Sequence, residues 1–368
     1  MSQSENTLRP RDAMYPRSPF GEQEPGIPTG RDVEWEPLVD FRRAGVSETT
    51  IHGAVAWAHG DEVFHSFGGN VLCYGRSMMK PLMMKVFTKE LDGELDWKQK
   101  AIAVASHNGD ASHVAAAQSL LAAEDHGLMQ TPLDVPLVQF GRQVRRPRRW
   151  FHTCSGEHAA ILRGCQLKNW EAVGYMLPQH PFFAGYLAQV RRFLGEDWKP
   201  LRVARDGCGL PTLSNTVSEL AQLYAGLART KDEDWIWESM QRHPDLVGGF
   251  NRLDSTILKS GKGAILAKEG ADGLLGLAIS HEDYPQGLGL VVKIAHGWNP
   301  QACWYIARAV LAPLGITLRN PYAMHRQKAF LVPGVVPPRY LEQLEQVPTW
   351  DEWDPDRERY DFDITPYL

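Results

Sequence analysis

The β-rich segments at the two ends of the chain constrain the fold most. Residues 50–58 alternate between apolar and polar side chains, His59-Gly60-Asp61 supplies a turn, and residues 62–67 alternate again. This pattern predicts a β-hairpin. Three further strands are predicted near the other end, at residues 263–268, 274–280 and 287–295. One antiparallel sheet formed from both chain ends, with helices packed on it, is the α+β arrangement that buries these segments together.

The middle of the chain carries helical patterns. The predicted helices cover residues 97–105, 112–123, 157–169, 216–229 and 232–242, and another covers residues 299–314 beyond the last strand. Thr216 and Glu219 have the spacing of a capping box at one helix start. A further helix is predicted to begin at about Ser77, with Pro81 in its first turns, where a missing N–H costs least.

The length of 368 residues and the hydrophobic fraction of 43% suffice for a core that needs no disulfide or metal to hold it together. We expect a flexible tail over residues 1–32, a single catalytic domain over residues 33–318, and a C-terminal extension packed on that domain over residues 319–368. Residues 1–30 lack the apolar stretch of a secretory signal, which favours the cytoplasm. No apolar run reaches the ~18–20 residues of a membrane span.

The overall charge gives no sign of a polyanionic partner. The net charge is −5, so a general attraction to nucleic acid or to an anionic membrane is not expected. A basic run precedes Trp150 and Phe151 and consists of Arg142, Arg145, Arg146, Arg148 and Arg149. Such a run can bind phosphates and stack bases, but no nucleic-acid-binding module accompanies it. We expect a solvated loop, or one that pairs with acidic residues of a neighbouring subunit.

The cysteines are odd in number and widely spaced, at Cys73, Cys154, Cys165, Cys208 and Cys303. This distribution is not that of a disulfide framework. In a reducing compartment such residues serve as small buried hydrophobes, metal ligands or nucleophiles.

Ser77-x-x-Lys80 is the first motif that carries chemistry. Residues three apart lie on one face of a helix, so the lysine amine can reach the serine hydroxyl. A serine needs a base to become a nucleophile, and a lysine with a lowered pKa can act as that base. Arg76 provides either the neighbouring cation that lowers this pKa or a clamp for a substrate carboxylate.

Other motifs follow in order along the chain. They are Ala105-Ser106-His107-Asn108-Gly109-Asp110, Phe151-His152-Thr153-Cys154-Ser155-Gly156-Glu157-His158-Ala159, Asp206-Gly207-Cys208-Gly209-Leu210-Pro211, Met240-x-x-His243-Pro244 leading to Gly249-x-x-Arg252, and Lys268-Glu269-Gly270-Ala271-Asp272-Gly273. Together with Ser77-x-x-Lys80 they resemble the asparaginase II-type family over about residues 76–273. The resemblance implies a serine β-lactamase-like fold with two Ser-Lys pairs and a nearby zinc site.

The resemblance assigns catalytic roles by position. Ser77 and Lys80 match the first Ser-Lys pair, and Ser106 and Lys268 match the second. One serine would attack the side-chain amide while the other relays protons to the leaving ammonia, through an acyl-enzyme that water clears. Which of the two serines is acylated stays open.

The resemblance also assigns substrate contacts. His107 and Asn108 would line the pocket, Arg252 would bind the α-carboxylate, and Asp206 would orient a ligand or bind the α-ammonium. His107, Asp110 and His113 have the spacing of a metal triad, but we expect Asp110 to cap a helix instead.

A zinc site is predicted with one departure from the family pattern. Cys154 and Cys208 match two zinc ligands, whereas Glu157 stands where the family has a ligating lysine. Because carboxylates and thiolates both bind zinc, we predict Cys154, Glu157, Cys208 and a water as the ligands. His158 is a substitute ligand. In the competing interpretation the metal is lost and Glu157 only favours the helix N-terminus.

Hydrolysis of L-asparagine to L-aspartate and ammonia is the leading hypothesis. Because Glu157 and His296-Gly297, where the family pattern has Asp-Gly, both alter the pocket, the rival hypotheses are an amidase or lactamase acting on another small amide metabolite, and a non-catalytic ligand-binding descendant. A penicillin-recognising transpeptidase would normally also carry Ser-x-Asn and Lys-Thr-Gly elements and be exported. For the last element this chain has Lys268-Glu269-Gly270 at best, and we see no export signal. We expect a homodimer, from the resemblance and because two-fold dimers are the commonest homo-oligomers.

Overall fold

A computed structural model describes residues 29–30, 33–43, 46–139, 146–318 and 328–342. The predicted N-terminal tail lies almost wholly outside the described residues, as do Arg142 and Arg145 of the basic run. Of the remaining basic residues, Arg148 lies over the ring of Phe151 at 4.6 Å, and Arg149 donates to the carbonyl of Thr131.

The described strands fall into a larger and a smaller sheet. In chain order they are β1 (Glu36–Arg43), β2 (Val46–His59), β3 (Glu62–Phe67), β4 (Leu72–Tyr74), β5 (Val203–Arg205), β6 (Pro211–Thr216), β7 (Ile265–Gly270), β8 (Leu274–His281), β9 (Tyr284–Ile294) and β10 (Lys328–Leu331). The predicted hairpin is β2–β3, and the three predicted C-terminal strands are β7, β8 and β9.

The larger sheet has seven strands in the order β10-β1-β2-β9-β8-β7, and β3 also pairs with β2. All of its pairings are antiparallel. Because β2 is 14 residues long, its first half pairs with β1 and its second half with β3, while its other edge pairs with β9. The β2–β9 pairing joins the two ends of the chain, so the prediction of an α+β fold with a sheet from both ends is confirmed.

In chain order, the helices are α1 (Lys80–Met84), α2 (Thr88–Leu91), α3 (Trp97–Ala103), α4 (Ala111–Gln118), α5 (Ser155–Leu167), α6 (Pro181–Leu194), α7 (Val217–Arg229), α8 (Ile236–Arg242), α9 (Pro244–Val247), α10 (Leu253–Ser260), α11 (Pro300–Leu311) and α12 (Pro338–Glu342). Along the chain, helices α1 to α10 lie between strands β4 and β7, and helices α11 and α12 lie on either side of strand β10. The capping box at Thr216 and Glu219 begins α7, as predicted. Helix α6 was missed, although His180 caps it and Pro181 opens it. No helix of the described residues is long and apolar enough to cross a membrane.

Helix α7 packs closely on the larger sheet because glycines line the contact. A Cβ on Gly289 would lie 2.0 Å from the carbonyl oxygen of Ala221, and one on Gly276 would lie 2.3 Å from the Tyr224 ring. The same helix reaches the segment that carries Ser77, since the Tyr224 hydroxyl donates to the Met78 carbonyl at 2.9 Å. The contact therefore sets the position of that segment relative to the sheet.

The smaller sheet has the order β4-β6-β5 and places two separate motifs side by side. Strand β4 leads directly into the Arg76–Met79 3₁₀ turn. Strands β5 and β6 form a hairpin whose tip is the loop with Asp206 and Cys208, closed by a hydrogen bond from the Asp206 N–H to the Leu210 carbonyl at 2.9 Å. The pairing of β4 with β6 brings this loop to the Ser77 turn.

We predict that Gly289→Ala lowers the free energy of unfolding by about 3 kcal/mol, because the added Cβ meets rigid helix backbone. Gly93→Ala is the matched control, since its Cβ would meet nothing within 4 Å, and its effect should stay below about 0.5 kcal/mol. Urea unfolding of both variants measures the difference. Equal stabilities would contradict the close packing of α7 on β9.

Candidate active site

Ser77 lies on a strained turn that the surrounding sheet supports. Arg76, immediately before it, has φ of 49°, in the left-handed region that non-glycine residues rarely adopt. The turn is fixed by hydrogen bonds from the Gly75 N–H to the Leu213 carbonyl at 3.1 Å and from the Arg76 N–H to the Thr212 hydroxyl at 3.3 Å. Strain of this kind persists only where neighbouring structure imposes it, and it clusters at functional sites.

Lys80 is buried beneath this turn with 2% of its side chain exposed. Its amine donates to the Ala105 carbonyl and lies 3.3 Å from Oε2 of Glu157. In the described part of the chain, no hydrogen bond joins this amine to the Ser77 hydroxyl. Burial opposes the charge of Lys80, but the negative charges of Cys154 and Glu157 outweigh it and raise the pKa of the amine. Lys80 is therefore held as an ammonium.

Ser106 follows α3 and is buried, with 4% exposure. Its N–H donates to the Val247 carbonyl at 2.8 Å, which fixes the backbone. Its hydroxyl oxygen is buried and has no hydrogen-bond partner among the described residues. Since a buried hydroxyl without a partner is costly, this oxygen is open to interaction with a bound molecule.

Lys268 lies on β7 and is fully buried. Its amine donates to Oδ2 of Asp254 at 3.1 Å and to the Glu269 carbonyl at 3.0 Å. Burial lowers the pKa of Lys268, and the charge of Asp254 only partly compensates. Asp254 reaches this position because α10 packs against β7. Lys268 is thus the more easily deprotonated of the two site lysines.

One cavity of about 430 Å³ brings the two serines together. Both Ser77 and Ser106 line it, and so does His107. The imidazole of His107 has Nε2 at 2.9 Å from the Ser155 hydroxyl and accepts the Gly109 N–H on Nδ1 at 3.1 Å, so its ring is held on both sides.

Side chains of both charges also line this cavity, namely Arg252, Glu269 and Asp134. Nε of Arg252 lies 3.1 Å from Oε2 of Glu269, and each side chain is partly exposed to the cavity. Arg252 further donates to the Ser106 carbonyl at 2.9 Å and contacts the side-chain oxygen of Asn108 at 3.4 Å. Asn108 does not line the cavity and instead donates to the Phe250 carbonyl, so it supports Arg252 rather than contacting bound molecules directly.

Arg76 and Asp206 form an ion pair outside the lining of the cavity. Nε of Arg76 lies 2.7 Å from Oδ1 of Asp206, and its Nη1 pairs with Asp272. Neither Arg76 nor Asp206 lines the cavity. The two side chains neutralise each other's charge, and the predicted roles, a carboxylate clamp for Arg76 and an α-ammonium contact for Asp206, stay predictions.

Cys154, Glu157 and Cys208 form a buried group whose ligand atoms all lie within 4.8 Å of one another. A hydrogen bond from Cys208, aided by the charge of Lys80, lowers the pKa of the Cys154 thiol, and the same bond raises the pKa of Cys208. Burial raises the pKa of Glu157 to about 7. His158 is not part of this group. Its Nδ1 lies 2.6 Å from the Tyr175 hydroxyl, and its buried Nε2 has no hydrogen-bond partner among the described residues.

The metal-like spacing around Asp110 has a structural explanation. Asp110 caps α4 by accepting from the N–H groups of Ser112 and His113, as predicted. Nε2 of His113 lies 2.8 Å from the Asp245 carbonyl.

Sequence reasoning missed Asp254 and Glu269 as site residues. Both lie next to residues that were identified, since Asp254 is two positions after Arg252 and Glu269 follows Lys268 directly. That adjacency was the available signal. Adjacency in the sequence does not show that Asp254 turns toward the buried amine of Lys268 and that Glu269 turns toward the cavity.

The family model for L-asparaginase II matches residues 39–335. The match includes both serines, both lysines and the Cys154, Glu157 and Cys208 group. The chain belongs to the L-asparaginase II family. No curated protein matches it. Membership of the L-asparaginase II family indicates a hydrolase of the amidohydrolase type, which acts on a small molecule. It agrees with a cavity that is lined by two serines and by side chains of both charges.

We predict that Asp254→Asn lowers the free energy of unfolding by about 3 kcal/mol, because it leaves the buried charge of Lys268 without a partner. The exposed pair of Lys259 with Asp245 provides the control, and Asp245→Asn should cost less than about 1 kcal/mol. Denaturant unfolding of both variants measures the two changes in the free energy of unfolding.

The ion pair of Asp254 with Lys268 also predicts how the stability of the protein depends on pH. Burial raises the pKa of Asp254, but Lys268 and Arg252 outweigh it and hold the pKa below its ordinary value of 3.8. The stabilisation of the folded protein by this ion pair is therefore complete above pH 3.8, and it is lost as the pH falls through the pKa of Asp254 in the folded protein. The difference between wild type and Asp254→Asn should shrink on acidification, and a difference that grows would contradict the ion pair.

Proposed function

We propose that this protein hydrolyses the side-chain amide of L-asparagine to L-aspartate and ammonia through a Ser-Lys mechanism. One observation carries the proposal: Ser77 and Ser106 line the same cavity as the Arg252–Glu269 pair. A nucleophile and a relay group beside two fixed, opposite charges suit an amino acid that carries an amide.

The charged pair supports an amino-acid substrate. The Arg252 guanidinium complements an α-carboxylate, and the Glu269 carboxylate complements an α-ammonium. Glu269 takes the role first predicted for Asp206. Binding both charges of the substrate would hold its side-chain amide in a single orientation relative to the serines.

The chemical steps use the two serines in different roles. Ser77 attacks the amide carbonyl carbon, forming a C–O bond, and the C–N bond then breaks. Ser106 accepts the proton of Ser77 and passes it to the leaving ammonia, with Lys268 as the amine of lowered pKa that supports the transfer. Water then cleaves the acyl-enzyme, releasing L-aspartate and restoring the Ser77 hydroxyl. Lys80 stabilises the negative charge that develops near it.

We further propose that Cys154, Glu157 and Cys208 hold a zinc ion with water as the fourth ligand. The donor set suits zinc, the three ligand atoms are close enough, and the buried Oε1 of Glu157 has no hydrogen-bond partner among the described residues. Bound zinc would offset the negative charges beside Lys80 and so lower the pKa of its amine.

The proposed arrangement is serine β-lactamase-like. The support for this is an antiparallel sheet from both chain ends, a helix packed on it, and a Ser-x-x-Lys segment at the start of α1.

We predict that Ser77→Ala and Ser106→Ala each lower kcat for ammonia release from L-asparagine at least about 1,000-fold. Ser66→Ala, an exposed serine on β3, is the control and should leave kcat within about twofold. A coupled ammonia assay measures the rates, and circular dichroism checks the fold. Wild-type activity in Ser77→Ala would remove Ser77 as the nucleophile, and a mass shift on Ser106 with an acylating substrate analogue would reassign that role.

We predict about one zinc per chain in purified protein and its loss in Cys208→Ala, because two remaining protein ligands bind zinc weakly. Cys165→Ala is the control, since Cys165 is a buried thiol outside the ligand group. Elemental analysis by mass spectrometry measures the zinc. Absence of zinc from the wild type and from Cys165→Ala would overturn this site and favour Glu157 as a plain partner of Lys80.

A further inference from the structure

Both charged and apolar side chains line the cavity. Ser77 and Ser106 supply the reacting groups, and Arg252, Glu269 and Asp134 supply the charged ones. The other lining residues include the large apolar side chains of Val135, Leu137, Phe151, Leu253 and Trp298.

Two of these apolar side chains stand at the mouth of the cavity and face water. Trp298 is 74% exposed and Leu137 is 52% exposed. They come from separate segments: Leu137 begins a 3₁₀ turn anchored by its N–H to the Asn108 carbonyl at 2.8 Å, and Trp298 precedes the Asn299 cap of α11. Exposed apolar side chains that gather at a cavity entrance mark binding of an apolar group.

L-asparagine itself has no apolar part to cover these side chains. A cavity of about 430 Å³ is also within the range of about 300–1,000 Å³ that suits much larger ligands. We infer that the site accepts amides of L-aspartate whose amide nitrogen carries an apolar substituent. This inference rests on the proposed function and names a wider substrate class for the same site.

The charges of the cavity decide where the substituent must be attached. Acylation of the α-amino group would remove the positive charge that Glu269 complements. Esterification of the α-carboxylate would remove the negative charge that Arg252 complements. The side-chain amide nitrogen is the remaining position, and a substituent there leaves both contacts intact while extending toward Leu137 and Trp298.

The reaction keeps the same balance of atoms. The Ser77 oxygen bonds to the carbonyl carbon, the C–N bond breaks, and the substituted amine leaves with the relayed proton in place of ammonia. Water cleaves the ester, so the products are L-aspartate and the free amine.

The test compares two substrates with leaving amines of similar basicity, the β-benzylamide and the β-hydroxyethylamide of L-aspartate, with L-asparagine as reference. All three release L-aspartate, so a single chromatographic assay serves them. In the wild type, kcat/KM for the benzylamide should exceed that for the hydroxyethylamide by about tenfold. Trp298→Ala and Leu137→Ala should lower this ratio severalfold. Val173→Ala, an equally exposed residue (75%) that does not line the cavity, should leave the ratio unchanged.

Each contrary outcome has a distinct meaning. Hydrolysis of L-asparagine with no preference for the benzylamide would overturn this inference and leave the proposed function standing. A Trp298→Ala variant that keeps the ratio but changes from dimer to monomer in size-exclusion chromatography would overturn it in favour of a subunit interface. No L-aspartate from any of the three substrates, with the protein folded, would overturn the proposed function as well.

Discussion

The close contact between α7 and the glycine-lined strands of the larger sheet is the constraint on which the site depends. Because Gly276 and Gly289 carry no Cβ, the helix lies near enough to the sheet for the Tyr224 hydroxyl to reach the Met78 carbonyl. That hydrogen bond places the Ser77 turn against the sheet. The pairing of β2 with β9 joins strands from the two chain ends into the same sheet, to which β7 with Lys268 also belongs. A turn near the start of the domain and a lysine near its end thereby come to one site.

Charged side chains, buried or partly buried, surround this site in matched pairs. Lys268 pairs with Asp254, Arg252 with Glu269, and Lys80 with Glu157. Removing such groups from water costs several kcal/mol per ion, and apolar replacements are often equally stable. Their concentration around one cavity is therefore better explained by chemistry than by stability. It agrees with a hydrolase of the L-asparaginase II family, which must hold protons and charges at defined positions.

Glu157 changes the electrostatics of the buried group that it forms with Cys154 and Cys208. Where the family pattern has a lysine that can bind as a neutral amine, this chain places a third acidic group. The nearby ammonium of Lys80 compensates part of that charge, and the charges of Cys154 and then Glu157 outweigh burial and raise the pKa of Lys80. The protonation of Lys80 is thus linked to whatever occupies the buried group, whereas Lys268, which pairs with Asp254, keeps a lowered pKa.

The sequence by itself determined the features that depend on neighbouring residues. The β2–β3 hairpin, the capping box of α7 and the Asp110 cap of α4 follow from residues a few positions apart, and the ordered motifs identify the family. The tertiary structure decided which side chains face the cavity. Arg76 turns away because the β4–β6 pairing brings Asp206 to it, while Asp254 reaches Lys268 because α10 packs on β7. These pairings join residues far apart in the chain, and local propensity carries no information about such contacts, since they form only when the elements pack.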